Sequence, residues 1–264
     1  MASSPYRGSP VPLASYGFAA ARGTAITSVA RVGSTRSSEL AGVSARRATE
    51  TIRLATAHCT IVGVDIEGFG QHHRSNTNRL RIRKGLYQAI QRAFDAAGIP
   101  WVSCRHEDLG DGVLVLASAD IPKPRFVDEL PATLSEELRQ HNATHPREEK
   151  MRLRLAIHAG EINYDEHGFT GASIIHTFRL LDATALKETL AEHAAPLAII
   201  SSAWFFEEVI RHSENSSSGA YRPTDITNKE TSAQAWIRMM PSRRNTRRRA
   251  QICVAKSPND GPAA

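Results

Sequence analysis

Two aspartates stand where an apolar run meets glycine: Asp65 in VDIEGFG (Val64–Gly70) and Asp111 in LGDG (Leu109–Gly112). Paired carboxylates at neighbouring strand ends are how hard divalent cations that carry nucleotide phosphates are held. The two lie 46 residues apart, room for one helix and one strand. A β-α-β-β unit would set them side by side at the sheet. Converging carboxylates repel unless a cation neutralises them. Taken singly, each aspartate reads as a cap or turn residue; the pair, with Gly68-Phe69 after one and Gly110 before the other, reads as a metal site. The glycines of Glu67-Gly68-Phe69-Gly70 would let backbone amides approach triphosphate oxygens.

The elements that must position these groups alternate. Residues 58–65 form a continuous apolar run that predicts a buried strand. A helix follows over about 76–97, with Leu80, Leu86, Ile90 and Phe94 on one stripe and Gly98 as its stop. Pro100 opens a strand at 101–106, and Leu109–Gly112 is a tight turn to the returning strand 113–117. A second helix is predicted over 126–142, and 151–159 alternates as a strand, with Arg152 and Arg154 on its polar side. A long amphipathic helix over 172–193, a strand at 197–200, a helix at 203–211 and an antiparallel pair at 221–227 and 233–239 complete the reading. The fold class is α/β (α+β), with a ferredoxin-like βαββαβ core and extra C-terminal strands and helix. That fold hosts many functions, so the site must carry the functional argument. Trp101, Trp204 and Trp236 are expected in the core, and His158 on a strand.

The net charge of +6 over 264 residues is unevenly spread. Residues 1–50 hold six arginines and two glutamates (+4), and 241–264 hold five arginines, one lysine and one aspartate (+5), leaving −3 on 51–240. Residues 1–50 read as a disordered N-terminal segment, with a transit peptide or a start codon placed too far upstream as alternatives. Residues 51–240 form the folded domain, and 241–264 a basic flexible tail. A basic footprint for nucleic acid belongs on a folded face, so a nucleic-acid partner is not expected. No apolar run approaches the roughly 18 residues of a membrane span. Cys59, Cys104 and Cys253 have no metal-like spacing, and an odd count argues against a disulfide framework. The expected location is a reducing cytoplasm.

With RLRLAIHAGE (Arg152–Glu161) and KET (Lys229–Thr231), the pattern over 58–240 resembles the catalytic domain of class III nucleotidyl cyclases. The resemblance implies closure of a nucleoside triphosphate to a 3′,5′-cyclic nucleotide with release of pyrophosphate. It implies that Asp65, Asp111 and the carbonyl of Ile66 bind two Mg²⁺ or Mn²⁺ ions, and that Gly68 and Phe69 lie against the substrate. Arg179 in FRLLDA would be the catalytic arginine against the transition-state phosphate, a task that suits a guanidinium. Lys229 in TNKET would hold the outer phosphates. Glu107 would face the base, where adenylyl cyclases usually have lysine and guanylyl cyclases glutamate. A carboxylate only accepts hydrogen bonds, and guanine, cytosine and uracil all offer N–H groups. GTP, UTP and CTP therefore remain open. The sequence departs from the family pattern twice. Ile175 stands where asparagine is usual, leaving adjacent His176 as the substrate-binding candidate, and Gly168 replaces a second base-reading residue. Because the family's site forms between two domains, a homodimer with shared active sites is implied, together with a downstream cyclic-nucleotide effector. Altered base-reading positions also resemble the pyrimidine cyclases of bacterial anti-phage defence. The reading of a different class is a catalytically degenerate, dimerising or nucleotide-sensing module, which Ile175 supports.

Overall fold

A computed structural model describes residues 55–240; the expectations for 1–50 and 241–264 concern residues outside this range. Among the described residues eight strands form one sheet. Strand β1 (Ala55–Ile66) leads through helix α1 (Asn76–Ala96) to β2 (Arg105–Asp108) and β3 (Gly112–Ser118). Helix α2 (Glu129–Thr144) then leads to β4 (Leu153–Asp165), from which β5 (Gly168–Thr170) folds back. Helices α3 (Ala172–Leu181) and α4 (Thr184–Glu192) carry the chain to β6 (Leu197–Ser202). A short helical segment, α over Ala203–Phe205 and π over Phe206–Ile210, precedes the β7 (Arg222–Asn228) and β8 (Thr231–Met240) hairpin.

The spatial order is β2-β3-β1-β4-β6-β8-β7, and only the β4–β6 pair is parallel. The first four strands make the expected ferredoxin-like βαββαβ core, extended by β6–β8. Helices cover the sheet on both faces, which is why β1, β3 and β6 read as continuous apolar runs. On one face Val62, Val64 and Ile66 pack with Ile82, Leu86, Ile90 and Phe94 of α1 and Leu130, Leu134 and Leu138 of α2. On the other, Ala156, Ala198 and Ile200 pack under Leu180, Leu181, Leu186 and Leu190 of α3 and α4.

Local chemistry sets the element ends. Ser75 caps α1, its hydroxyl accepting from the Asn78 amide while the Asn78 side chain accepts from the Ser75 amide. At the other end Ile99 N–H donates to the Phe94 carbonyl and Gly98 N–H to that of Asp95. That closing motif needs the left-handed backbone (φ 68°) that Gly98 adopts.

Four expectations are corrected. Leu80 is 68% exposed and Ile82 takes its place in the core, because the stripe follows Ile82, Leu86, Ala89, Ile90 and Ala93. Residues 101–103 form a 3₁₀ turn rather than strand, which seats Trp101 edge-on against Phe94 at 5.4 Å. The helix predicted over 172–193 is broken: Ala183 is extended, and the Asp182 carboxylate accepts from Lys187. The break lets α3 and α4 both lay leucines on the sheet. Trp204 is 45% exposed rather than core, whereas Trp236 stacks on Phe206 with ring centroids 3.7 Å apart.

The two readings of the α1 stripe differ in stability. Phe94→Ala should cost about 3–5 kcal/mol, as emptied aromatic core sites do, and Leu80→Ala under about 0.5 kcal/mol, as exposed substitutions do. Equilibrium urea unfolding would measure both, and a large loss at Leu80 would refute the assigned face.

Candidate active site

The register of β1 assembles the carboxylates. Asp65 lies opposite Gly112 of β3 on one side and Arg154 of β4 on the other. The Ile66 amide donates to the Asp111 carbonyl at 2.9 Å, so the two aspartates sit on adjacent backbones. Only glycine fits at 112: a Cβ there would lie 2.1 Å from the Val64 carbonyl oxygen. The turn that carries Asp111 is stapled from outside. Arg83 of α1 donates to both Asp108 carboxylate oxygens (Nη1–Oδ1 2.9 Å) and to the Gly110 carbonyl. Asp108 also accepts from the Gly110 amide at 2.9 Å. These bonds to Arg83 hold the Asp108 carboxyl below its ordinary range.

Asp65 is not the unpaired carboxylate that the sequence suggested. Arg154 forks onto it, Nε to Oδ1 at 2.7 Å and Nη2 to Oδ2 at 2.8 Å, with both side chains mostly buried. Burial pushes the Asp65 carboxyl up, the Arg154 bonds pull it down, and the charges of Asp111 and Asp182 push it up again. The donor set still suits a hard cation. A carboxylate has about four lone-pair sites, of which the fork takes two. Asp65 and Asp111 therefore retain oxygen donors of the kind Mg²⁺ and Mn²⁺ accept. Among the described residues no group of three His, Cys, Asp or Glu side chains is spaced to hold a metal alone, so further ligands would come from substrate and water.

Gly68 adopts φ 63° in the turn after β1. Phe69 packs against the core edge, and its carbonyl accepts from Arg79 at 3.3 Å. Glu107 sits on β2 opposite Leu114, which in turn lies opposite Gly63. Strand alternation thus puts Glu107 on the sheet face that carries Asp65. Its carboxylate lies 3.6 Å from Arg105.

Arg179 and Lys229 are brought together elsewhere. Arg179 Nη2 donates to Glu230 at 2.7 Å, and the Arg179 carbonyl accepts from Asn228 at 3.2 Å. Lys229 and Glu230 form the two-residue β7–β8 turn, with Lys229 at φ 53°. The Arg179 Nε is buried without a hydrogen-bond partner, a donor awaiting an acceptor. Ile66, Leu153, Leu197 and Met240 lie in one cross-strand row, so Asp65 is level with the C-terminal end of β8. The Lys229 turn precedes the opposite end of that ten-residue strand. Within one chain the two groups have separate partners, Asp65 bonding to Arg154 and Arg179 to Glu230.

His176 lies with the histidines rather than with Arg179. Its ring is edge-on to His158 at 4.9 Å, and His158 Nδ1 is 2.8 Å from the Ser202 hydroxyl. Ile175 is 49% exposed. Sequence reasoning missed Arg154, Glu230 and Arg83. Only Arg154 left a signal, as a polar-side residue of its strand, and pairing it with Asp65 needs the register.

No family model matches the chain, and no curated protein matches it. Solved structures do. The chain is similar to an adenylate/guanylate cyclase/hydrolase from Silicibacter pomeroyi, at 18% identity over 72% of this chain and 99% of that one, with a TM-score of 0.50. It is also similar to a bacterial light-regulated adenylyl cyclase, at 14% identity over 80% of this chain and 59% of that one, with a TM-score of 0.52. At these identities the likeness is one of fold. The mixed sheet with its β6–β8 extension is that of cyclase catalytic domains. Among the described residues no helix is long and apolar enough to cross a membrane.

The histidine pair makes stability depend on pH. Burial, with the His176 and His58 charges adding, lowers the His158 imidazole from 6.5 to about 4. Between those values the unfolded chain binds a proton that the folded chain does not, so stability rises with pH across this window. The contribution is complete above 6.5 and lost as pH falls to about 4. His158→Gln should flatten this part of the stability–pH curve; an unchanged slope would show that His158 is not the group responsible.

Proposed function

We propose that the chain is a nucleotidyl cyclase that acts as a homodimer on a nucleoside triphosphate. The supporting observation is the split site. Asp65 and Asp111 stand on adjacent backbones at the end of β1, and Arg179 with Lys229 at the β7–β8 turn, with no hydrogen bond or ion pair among the described residues joining the two groups. A triphosphate with divalent cations needs both. A two-fold dimer would face the carboxylates of one chain toward the cations of the other, giving two composite sites.

Asp65, Asp111 and the Ile66 carbonyl would hold two Mg²⁺ or Mn²⁺ ions. Bound there, such ions would stabilise charge at the α-phosphate and acidify the 3′-hydroxyl. Arg154 aims Asp65 and favours its ionised form against the burial that pushes the carboxyl up. The Gly68-Phe69 turn would offer amides to the triphosphate. Arg179 would meet charge developing on the α-phosphate, its Nε already free and its Glu230 partner on an exposed turn. Lys229 would balance the outer phosphates as a point charge. Glu107 would accept hydrogen bonds from the base, and His176 is the remaining substrate-contact candidate. The 3′-hydroxyl would attack the α-phosphorus, its proton passing to water, while the bond to the β-phosphate oxygen breaks and pyrophosphate leaves with that electron pair. The product would be a second messenger read by a cyclic-nucleotide effector. The resemblance to anti-phage pyrimidine cyclases keeps UTP and CTP beside GTP.

A non-catalytic dimerising module is the second reading, and the exposed Ile175 in the usual asparagine position favours it. Incubation with Mn²⁺ and each of ATP, GTP, CTP and UTP, followed by mass spectrometry, decides between the two. A cyclic nucleotide that Asp65→Ala and Asp111→Ala abolish supports the cyclase; no product from a confirmed dimer supports the module. The shared site has its own test. Asp65→Ala and Arg179→Ala should each be inactive alone, yet an equal mixture should regain about a quarter of wild-type activity, since half the dimers would hold one intact site of two. No recovery after verified subunit exchange would refute composite sites.

A further inference from the structure

Gly168 has no side chain to read a base, and a Cβ added there would meet nothing within 4 Å. Another group lies close to Glu107 instead. Arg105 lies two residues before Glu107 on β2, on the same face, with Leu116 opposite it as Leu114 is opposite Glu107. Its guanidinium carbon sits 5.4 Å from the centre of the Phe169 ring and 5.5 Å from that of Tyr164. Those two residues pair across the β4–β5 hairpin, and Phe169 is the neighbour of Gly168. The Arg105 and Glu107 side chains are 49% and 44% exposed.

Each contact leaves Arg105 free to act. Cation–π contact uses the flat face of the guanidinium and consumes none of its N–H donors. The 3.6 Å pair with Glu107 is exposed and therefore weak, so both heads can turn to a third group. Arginine only donates hydrogen bonds and glutamate only accepts them. Side by side they match a base edge in which an N–H adjoins a carbonyl. Guanine offers N1–H and N2–H₂ to the two carboxylate oxygens and O6 to the guanidinium. Uracil offers N3–H and O4. Adenine and cytosine have no carbonyl beside an N–H.

We propose that Arg105, held over Phe169 and Tyr164, is a specificity-determining residue that donates to a base carbonyl while Glu107 accepts from the adjacent N–H, so that the site prefers keto bases, guanine first. This inference rests on the cyclase reading for the location of the base.

The test uses the full chain with Mn²⁺ and the four 3′-deoxynucleoside triphosphates, which cannot cyclise, with dissociation constants measured by calorimetry. Wild type should bind the guanine and uracil analogues more tightly than the adenine and cytosine analogues. Arg105→Ala should shrink that preference about tenfold or more, and Arg105→Lys should restore part of it. Phe169→Ala, which removes the platform and keeps both charges, should move the ratio the same way. If Arg105 only ties the hairpin to β2, Arg105→Ala weakens all four analogues equally, and the proposal is overturned. It is likewise overturned if wild type shows no keto preference or binds no analogue. Parallel assays with the natural triphosphates separate the two claims: base-selective binding without any cyclic product would remove the cyclase reading and leave the assignment of Arg105 standing.

Discussion

Like charges at the end of a buried strand are the constraint on which this structure turns. The β1 register presses Asp65 against the Asp111 backbone, with Asp182 near enough to add its charge. Removing a carboxylate from water is costly, and neighbouring carboxylates make it more so. Arg154 offsets this from the next strand with the two-bond fork that planar guanidinium chemistry allows. The fork occupies only part of the carboxylate. The same contact that favours the charged form of Asp65 also leaves it able to ligate.

Around this point the fold reads as a holding device. Helices on both faces fix β1 so that its register cannot slip by a residue, which would turn Asp65 to the opposite face. Arg83 reaches from α1 to clamp the turn carrying Asp111, and Gly112 lets β3 approach β1 closely enough for the aspartates to adjoin. Position on rigid elements matters here because catalytic groups tolerate little misplacement.

Much of this was legible in the chain. A run with no polar interruption at 61–64 announces a strand buried on both faces, and the alternation of Arg152 and Arg154 with leucine announces β4. Given two such strands, the aspartates' spacing gives a βαββ unit. What could not be read is what register and curvature decide. The Asp65–Arg154 fork joins residues 89 apart in the chain, and no local pattern pairs them. The break at Asp182–Ala183 has neither glycine nor proline to mark it, and the two short helices on either side both lay leucines on the sheet. Leu80 and Ile82 are equally apolar, and only the later residues Leu86, Ala89 and Ala93 fix which of them turns inward. Arg105 was invisible for the same reason as Arg154, since its aromatic partners lie on a hairpin more than fifty residues away.

The same electrostatics bears on whether the domain is catalytic or merely structural. A domain kept only for dimerisation gains nothing from a buried carboxylate pushed up by two acidic neighbours, or from a buried arginine nitrogen without an acceptor. Such features cost stability and persist where the missing partner is a ligand. The deficits are also complementary. One end of the sheet has an excess of negative charge and lone pairs, and the β7–β8 end has an unspent donor and a lysine held in a left-handed turn. A metal-bound triphosphate spanning two chains would satisfy both ends at once: its cations meet the carboxylates, and its phosphates meet Arg179 and Lys229. On that proposal Ile175 would remove one polar contact without altering either charge cluster, and would bear on the efficiency of the site more than on its logic.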